Sequence, residues 1–293
     1  MIYKNKKMIF LFLFPAMMYI SLFLLYPFLR NIFNSFFEIT AWGSMGRFVG
    51  WDNYKTMLSD PFPLNSPLFW EALRNTLVLM LWTLVFQVGL GLILALLVES
   101  IGFGKKFFQT VYFFPIVISA TALGLLCKLI FDFNGGMLNQ VLESLGRDPV
   151  LWLGTKHALK MISVPIIWQY VGFYFVIIFT GIQRIPNSLY ESAELEGVTG
   201  FKKAIYITIP LIWDVIQVCI VLAITGTIKV FDLVWIISGG REGTEVLGTY
   251  MYKQTFEAAK IGYGSAIAVM IVIVGIVISL TVNKLLSRES ITY

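Results

Sequence analysis

The chain has 293 residues, of which 58% are hydrophobic and 13% are charged, and its formal net charge is +5. A soluble domain carries roughly a quarter charged residues, so this composition argues against a soluble protein and predicts an integral membrane protein. The basic residues are not clustered with exposed aromatics, so we expect no nucleic-acid partner.

Six apolar segments have the roughly 20 residues that a spanning helix needs. They are residues 8–35, 75–98, 108–131, 160–183, 206–237 and 263–283. The first follows three lysines without a small-residue cleavage site, so we interpret it as a span and not a signal peptide. The fifth is longer than a membrane requires and is expected to be bent or partly outside. The predicted fold is an all-α integral membrane protein with six transmembrane helices.

Basic residues predict the orientation of these spans. The loops on the side of the two termini, together with the termini, contain ten Lys and Arg in 48 residues, against seven in 88 residues on the opposite side. Because basic loops stay in the cytoplasm, both termini are expected there. Asn75 and Thr76 are expected to cap the start of the second span.

Cysteine and histidine are too scarce for metal or thiol chemistry. Cys127 and Cys219 lie within apolar runs, which predicts buried free thiols, and His157 is the only histidine. We therefore expect no metal site and no catalytic residues. An intramembrane enzyme would need a Ser/His, paired-Asp or His-rich site, which the scattered acids do not form.

The loop between the fourth and fifth predicted spans is unusually acidic, with Glu191, Glu194 and Glu196 in six positions. Ser188 precedes Glu191 by three residues, which is the spacing of a capping box and predicts a helix that starts near residue 187 or 188. At least two of the three acids must point into the cytoplasm or at a partner. A docking helix and a merely solvated loop both remain open on this pattern.

Gly197 follows the acids and can adopt a positive φ, so it is expected to end this helix. A second short helix is expected from residue 199 to 208, just before Pro210. Among the apolar and small residues, Leu189, Ala193 and Val198 are expected to face the bundle.

The same loop resembles the EAA loop of ABC-importer permeases. The motif is carried by Tyr190-Glu191-Ser192-Ala193, then Gly197, then Ile207-x-Ile209-Pro210. The family reads E-A-A-x-x-x-G and then, about nine residues on, I-x-L-P. Ser192 and Ile209 depart from that pattern, and both changes conserve size.

Five further blocks are similar to carbohydrate-type permeases, so the resemblance covers about residues 8–286. They are FVGWDNYKTMLSD (48–60), FWEALRNTLVLML (69–81), FFQTVYFFPIVIS (107–119), FDFNGGMLN (131–139) and VFDLVWIISGG (230–240). The subunit type is similar to the first permease of maltose and glycerol-3-phosphate importers. The loop 36–73 is too short to contain the large extracytoplasmic insertion of the maltose subunit.

The resemblance implies a bacterial inner-membrane protein that imports a sugar. Its implied partners are the lipid bilayer, a second permease in a heterodimer, an ATPase dimer and an external sugar-binding protein. It implies a coupling loop at 185–209 within a permease core of five spans at 74–286. Residues 1–73 would hold the N-terminal span and a short extracytoplasmic loop, and 287–293 a cytoplasmic tail.

Coupling to the ATPase is assigned by the resemblance to residues of this loop. The positions are Glu191, Ser192, Ala193, Glu194, Glu196 and Gly197. Glu191 would anchor the helix in a cleft of the ATPase, Ala193 would pack into that cleft, and Gly197 would make the turn. The chain contains no G-x-x-x-x-G-K-[ST] loop, since Gly104-Lys105 lacks the other required residues. ATP and Mg²⁺ are therefore expected in the partner, with no cofactor in this chain.

A substrate cavity is expected between the fourth and fifth spans. By position in the family the resemblance assigns it Phe173, Ala223, Gly226, Thr227 and Val230. Trp168 is a candidate to stack on a sugar ring, and Gln169 and Tyr170 are polar candidates. Lys229 and Asp232 are three residues apart and are expected either to pair on one helix face or to contact ligand. Oligosaccharide, monosaccharide, polyol and glycerol-3-phosphate all remain open.

The alternative function is a cation-coupled secondary carrier. Such a carrier needs buried carboxylates near the membrane midplane, whereas Asp214 and Asp232 lie near the ends of the predicted spans.

Overall fold

The structure is a computed structural model that describes residues 6–40, 46–59, 69–154, 157–241 and 243–287. The predicted tail 287–293 lies outside the described residues from position 288 on. The described chain is mostly helical. Its α-helices are α1 (Lys6–Ile20), α2 (Tyr26–Asn34), α3 (Asp52–Ser59), α4 (Phe69–Thr83), α5 (Gly89–Glu99), α6 (Lys105–Phe113), α7 (Ala120–Ile130), α8 (Met137–Ser144), α9 (Ala158–Ile182), α10 (Asn187–Leu195), α11 (Gly200–Lys203), α12 (Ile209–Leu211), α13 (Trp213–Ile228), α14 (Asp232–Ser238), α15 (Leu247–Tyr252) and α16 (Ile261–Leu286).

Short π-helical turns join several of these helices into longer rods. They lie at Ser21–Leu25, Leu84–Val88, Ala204–Thr208 and Lys253–Glu257, and a 3₁₀ turn at Phe114–Val117 follows α6. Two short strands, β1 (Phe37–Glu38) and β2 (Arg47–Phe48), pair antiparallel.

Four continuous helical rods are long and apolar enough to cross a membrane. They are Met8–Asn34, Phe69–Glu99, Ala158–Ile182 and Ile261–Leu286. Two bent pairs also pass the same test together, Lys105–Val117 with Ala120–Ile130 and Gly200–Leu211 with Trp213–Ile228. The described residues therefore contain four to six candidate spans. This agrees with a multi-pass membrane protein.

The segment predicted as the third span is broken by an 87° bend. Pro115 lies in the 3₁₀ turn, and Ile118 has extended backbone with ψ near 131°. Ser119 then caps α7, since its Oγ accepts a hydrogen bond from the Ala122 N–H over 3.1 Å. Because proline cannot donate a main-chain hydrogen bond, the helix stops here and a new one starts.

The fifth segment, expected to be bent, has a 74° bend between α12 and α13, which confirms that prediction. It is broken a second time beyond residue 228, where α13 ends, and the chain is not helical again until α14 begins at Asp232. The residues between these two helices reach a cavity that is described below.

The described residues divide into two compact units. The first consists of residues up to 66 together with 251–273, and the second of 67–250 together with residues from 274 on. Within the first unit, Ser35 Oγ lies 2.7 Å from Tyr54 Oη, and Asn53 donates to the main-chain carbonyls of Ser35 and Phe37 over 2.8 and 3.0 Å. These buried bonds fix α3 to the end of α2.

Helix α9 is the centre of the second unit. Its Phe175 and Phe179 are fully buried and pack with Ala95 of α5 and Cys219 of α13. Glycine allows α9 to approach its neighbours closely. A Cβ atom at Gly172 would lie 1.7 Å from the Tyr112 carbonyl oxygen of α6. Small residues at helix contacts are how membrane helices pack without a hydrophobic driving force between them.

The second span begins earlier than predicted. Helix α4 starts at Phe69, so Asn75 and Thr76 lie inside it, and the prediction that they cap its start is wrong. Both side chains instead bind the segment before α15. Asn75 Nδ2 donates to the Glu245 carbonyl over 2.9 Å, and the Leu247 N–H donates to Thr76 Oγ1 over 3.0 Å. Polar groups inside an apolar helix are satisfied here by another part of the chain.

Candidate functional site

The acidic loop folds as a helix followed by a glycine turn. Helix α10 begins at Asn187, which confirms the predicted start. The residue that precedes it, Pro186, is extended with ψ near 135°, and no side chain caps the helix. The capping-box bond predicted for Ser188 is therefore wrong, because Ser188 already lies within the first turn.

The end of α10 is specified by Gly197. Its φ is +75°, as predicted, and its N–H donates to the Glu194 carbonyl over 3.0 Å. The Val198 N–H donates to the Ala193 carbonyl over 2.8 Å. These two bonds form a Schellman motif, which satisfies carbonyls that the helix end would otherwise leave without donors.

Helix α10 has one face toward the protein and one toward its surroundings. Ala193 is 7% exposed, and Leu189 and Tyr190 pack partly against the core around α9. Glu191, Ser192, Glu194, Glu196 and Gly197 are exposed. The prediction that Ala193 faces the bundle is confirmed. Its assignment to a cleft of the ATPase is corrected, because its methyl group is already buried within this chain.

Lys203 joins α10 to the short helix α11. Its Nζ lies 3.1 Å from Glu194 Oε1 and 5.1 Å from the centre of the Tyr190 ring. The Tyr190 hydroxyl in turn lies 3.2 Å from Thr208 Oγ1. Glu194 therefore has a partner inside the loop. The predicted helix 199–208 is present as α11 and the π-helical turn that follows it.

Sequence reasoning missed the apolar side chains that this loop exposes. Leu195 is 90% exposed, Phe201 78% and Tyr206 71%. An exposed apolar surface of this kind is typical of a contact with a protein or a membrane. A signal was available, because Leu195 lies four residues after Glu191 and so shares its helix face.

A cavity of about 330 Å³ lies between α9, α13 and the turn before α5. Its walls include eight of the ten residues predicted for the substrate, namely Gln169, Tyr170, Ala223, Gly226, Thr227, Lys229, Val230 and Asp232. Gln87 and Tyr174 also contribute to the wall. Gly226 opens toward empty space, since a Cβ atom there would have no neighbour within 4 Å.

Two predicted residues lie elsewhere. Trp168 lines a separate apolar groove of about 810 Å³ together with residues of α5 and α6. Phe173 packs partly against the core, with its ring centre 5.3 Å from that of Tyr174. Successive residues point about 100° apart around a helix axis. The side chains of Gln169 and Tyr174 therefore reach the cavity, while those of the adjacent Trp168 and Phe173 do not.

Lys229 and Asp232 both line the cavity, but they do not pair with each other. Within the described part of the chain, neither side chain has an ion-pair partner within 4.0 Å. The predicted pairing assumed one continuous helix. Lys229 ends α13 and Asp232 begins α14, so the three-residue spacing does not bring them to one helix face.

Three buried side chains form hydrogen bonds around the cavity. Thr227 Oγ1 lies 2.7 Å from Thr83 Oγ1 and donates to the Ala223 carbonyl over 2.8 Å. Gln87 Nε2 donates to the Ile166 carbonyl over 2.9 Å, and Gln169 Nε2 to the Ile118 carbonyl over 3.0 Å. Gln87 was missed, although a polar residue within an apolar span is itself a signal of function. No group of His, Cys, Asp and Glu suited to a metal ion occurs among the described residues.

Comparison with known proteins identifies a family. Residues 87–290 match the family described as "Binding-protein-dependent transport system inner membrane component". The probable ABC transporter permease protein YurN of Bacillus subtilis is 36% identical over 97% of both chains. The arabinooligosaccharides transport system permease protein AraP of the same organism is 31% identical over 97% of this chain and 90% of its own.

Another relative and a solved structure agree with these matches. The lactose transport system permease protein LacF of Rhizobium radiobacter is 30% identical over 92% of this chain and 90% of its own. A chain in the crystal structure of a bacterial alginate ABC transporter, in complex with a pentasaccharide-bound periplasmic protein, superposes with a TM-score of 0.84. The superposition covers 99% of this chain and 97% of the alginate transporter chain at 24% identity, so the two chains share a fold. The chain therefore belongs to the family of inner membrane components of binding-protein-dependent transport systems, which are transport components and not enzymes.

Proposed function

We propose that this chain is one permease subunit of an ATP-driven importer that moves a sugar or related carbohydrate into the cytoplasm. Family membership supports import that depends on a binding protein. The names of relatives support the substrate class, since they include permeases for arabinooligosaccharides, lactose and diacetylchitobiose. The alternative, a cation-coupled secondary carrier, is not favoured by a family that depends on an external binding protein.

The proposed assembly contains a second permease, an ATPase dimer and an extracytoplasmic sugar-binding protein. ATP and Mg²⁺ would be bound by the ATPase, which leaves this chain without a cofactor. The proposed topology counts each bent pair as one span, giving six spans in a bacterial inner membrane with both termini in the cytoplasm. Reporter fusions to the C-terminus test the orientation. A reporter that is active only outside the cytoplasm should give no signal.

Helix α10 is proposed as the coupling helix that enters a cleft of the ATPase. The observation that carries this proposal is its exposed face, formed by Glu191, Ser192 and Leu195 on a helix whose opposite face is buried. The Schellman turn and the Lys203–Glu194 ion pair hold that face in a defined position. Docking would also cover the apolar surface of Leu195 and Phe201.

The docking proposal is tested by Glu191→Ala and Leu195→Ala in the assembled importer. Each change should reduce the ATPase that co-purifies with the permease by about tenfold or more, the effect of removing a central interface residue. Glu143→Ala removes an exposed carboxylate from α8 and serves as the control. Unchanged co-purification of both α10 variants would refute the docking role.

The 330 Å³ cavity is proposed as this subunit's part of the substrate path. Gly226→Leu tests it, because the new side chain enters open space and should block the cavity without displacing its neighbours. We expect uptake to fall more than about tenfold through steric exclusion. Gly89→Leu in α5 is the matched control, since its Cβ also has no neighbour within 4 Å and it lies outside the cavity.

A further inference from the structure

Two glutamines from different spans line the proposed cavity, and the amide nitrogen of each donates to a main-chain carbonyl. Gln87 belongs to the π-helical turn between α4 and α5, and Gln169 belongs to α9. Both are more than nine-tenths buried, at 3% and 6% exposure, and both line the cavity. Burying an amide in a membrane span costs free energy, so such a residue is expected to have a structural or ligand-binding role.

The orientation of each amide follows from its partner. Gln87 Nε2 binds the Ile166 carbonyl, and Gln169 Nε2 binds the Ile118 carbonyl. A main-chain carbonyl only accepts, so the amide nitrogen must face it and the amide oxygen must point away from it. In the described part of the chain, neither Oε1 atom accepts a hydrogen bond from the protein. Each amide therefore offers a free acceptor.

The rest of the cavity wall has a balanced charge. Asp232 adds a carboxylate, which only accepts hydrogen bonds, and Lys229 adds one cation. The hydroxyl of Thr227 is already engaged with Thr83 and with the Ala223 carbonyl. The two tyrosine hydroxyls of the wall can donate or accept. The groups limited to accepting, which are the two amide oxygens and Asp232, therefore outnumber Lys229, the one side chain that can only donate. Such a wall suits a ligand that presents many O–H donors and repels a phosphate or sulfonate group, whose oxygens are also acceptors.

We propose that Gln87 and Gln169 are an acceptor pair that binds hydroxyl groups of a neutral sugar or polyol during transport. The inference rests on the proposed function of the cavity and selects one substrate class within it. A purely structural role would use only the two amide nitrogens. It would leave unused the two amide oxygens, which have no partner in the described part of the protein and lie in the residues that line the cavity.

The test measures uptake by the importer reconstituted in proteoliposomes with its companion permease, ATPase and binding protein. The first probes are ¹⁴C-labelled lactose, arabinobiose, diacetylchitobiose and glucosylglycerol, with glycerol-3-phosphate as the anionic probe. The best-transported neutral probe is then supplied as its set of monodeoxy derivatives. Wild type, Gln87→Met and Gln169→Met are compared on each derivative, with the same binding protein throughout.

Each Met variant should lower kcat/KM for the parent sugar by about three- to tenfold, the range of one hydrogen bond. For the derivative that lacks the contacted hydroxyl, the same variant should cause almost no further loss. The two glutamines should be sensitive to different hydroxyl groups. Gln140→Met is the matched control, because Gln140 also donates its amide to a carbonyl, that of Gly135 over 2.8 Å, but lies outside the cavity.

The proposal is overturned if the Met variants lower uptake of the parent and of every deoxy derivative by the same factor. It is also overturned if glycerol-3-phosphate is the preferred probe. If the cavity is not the substrate path, the result is different, because the Gly226→Leu variant would then take up sugar at the same rate as the Gly89→Leu variant. If Gly226→Leu blocks uptake while the Met variants show no hydroxyl dependence, the acceptor pair fails and the proposed function stands.

Cysteine labelling gives a second measurement that does not depend on transport. Gln87→Cys and Gln169→Cys, in a Cys127→Ala/Cys219→Ala background, should react with methanethiosulfonate ethylammonium in membranes. The transported sugar should slow that reaction. Ala95→Cys, a buried core position outside the cavity, should not react. Absence of reaction at both glutamine positions, with the protein still folded, would overturn the proposal.

Discussion

The cavity wall and helix α10 are specified in different ways. The cavity is built from helix breaks and from side chains that bind carbonyls far away in sequence, as Gln169 does at Ile118. Helix α10 is built locally, since both bonds of its terminal turn join residues within five positions of each other. The cavity directs its polar groups inward, and α10 directs its acids outward. One region therefore depends on the whole bundle, whereas the other behaves as a local module.

The largest predicted effect comes from the close backbone contact between α6 and α9. Gly172→Ala would place a methyl group 1.7 Å from the Tyr112 carbonyl, so α6 and α9 must separate. Such overpacking should destabilise the protein by about 3 kcal/mol or more. Thermal denaturation in detergent should show a large loss of folded protein. Gly89→Ala, which meets nothing within 4 Å, should fold normally.

The next effect concerns the tether between α4 and the segment before α15. Asn75→Ala removes the buried hydrogen bond to the Glu245 carbonyl and should cost about 1–3 kcal/mol. Helix α15, which follows that segment, also supports the cavity, because its Gly248 lies directly against the Val230 carbonyl in the cavity wall. We therefore expect both a lower denaturation midpoint and slower uptake. Normal uptake in a destabilised Asn75→Ala protein would show that the tether does not shape the cavity.

A smaller and more local effect is expected at the end of α10. Gly197→Ala forces a residue with a Cβ atom into a φ of +75°, which costs about 1–2 kcal/mol. Because the strain lies within the module, the bundle should unfold at nearly the wild-type temperature. ATP hydrolysis stimulated by the loaded binding protein should fall instead. A drop in bundle stability without a change in hydrolysis would contradict the modular interpretation.

The smallest effect is expected from Lys203→Ala. The Lys203–Glu194 pair is partly exposed, with side-chain exposures of 33% and 55%, so its loss should cost less than about 1 kcal/mol. Uptake should fall modestly at low salt and less at high salt, because salt screens the pair. An effect as large as that of Glu191→Ala would mean that Lys203 contacts the partner directly.

Local features were predictable from the sequence. The start of α10 and the positive φ of Gly197 depend on neighbouring residues, and both were predicted. The bend in the fifth span followed from its excess length. The first two features rest on steric rules that act over a few positions.

Features that depend on distant contacts were predicted less well. Asn75 was expected to cap a helix, but its partner lies at position 245, a distance that no local pattern reveals. The Lys229–Asp232 pairing failed because the helix breaks between them. Phe173 was expected in the cavity from its position in the family and Trp168 from its residue type, and neither tells which side of a fully apolar helix faces an opening. The inward orientation of Gln87 likewise depends on packing.

The central claim is that the cavity and α10 have separable roles, and the ratio of sugar uptake to ATP hydrolysis in proteoliposomes tests it most directly. Gly226→Leu should retain the ATPase and hydrolyse ATP while uptake falls more than about tenfold, so the ratio collapses. Glu191→Ala should lower uptake and hydrolysis together, which leaves the ratio near the wild-type value. If Gly226→Leu instead transports sugar at the wild-type ratio, the cavity is not the substrate path and the account is contradicted.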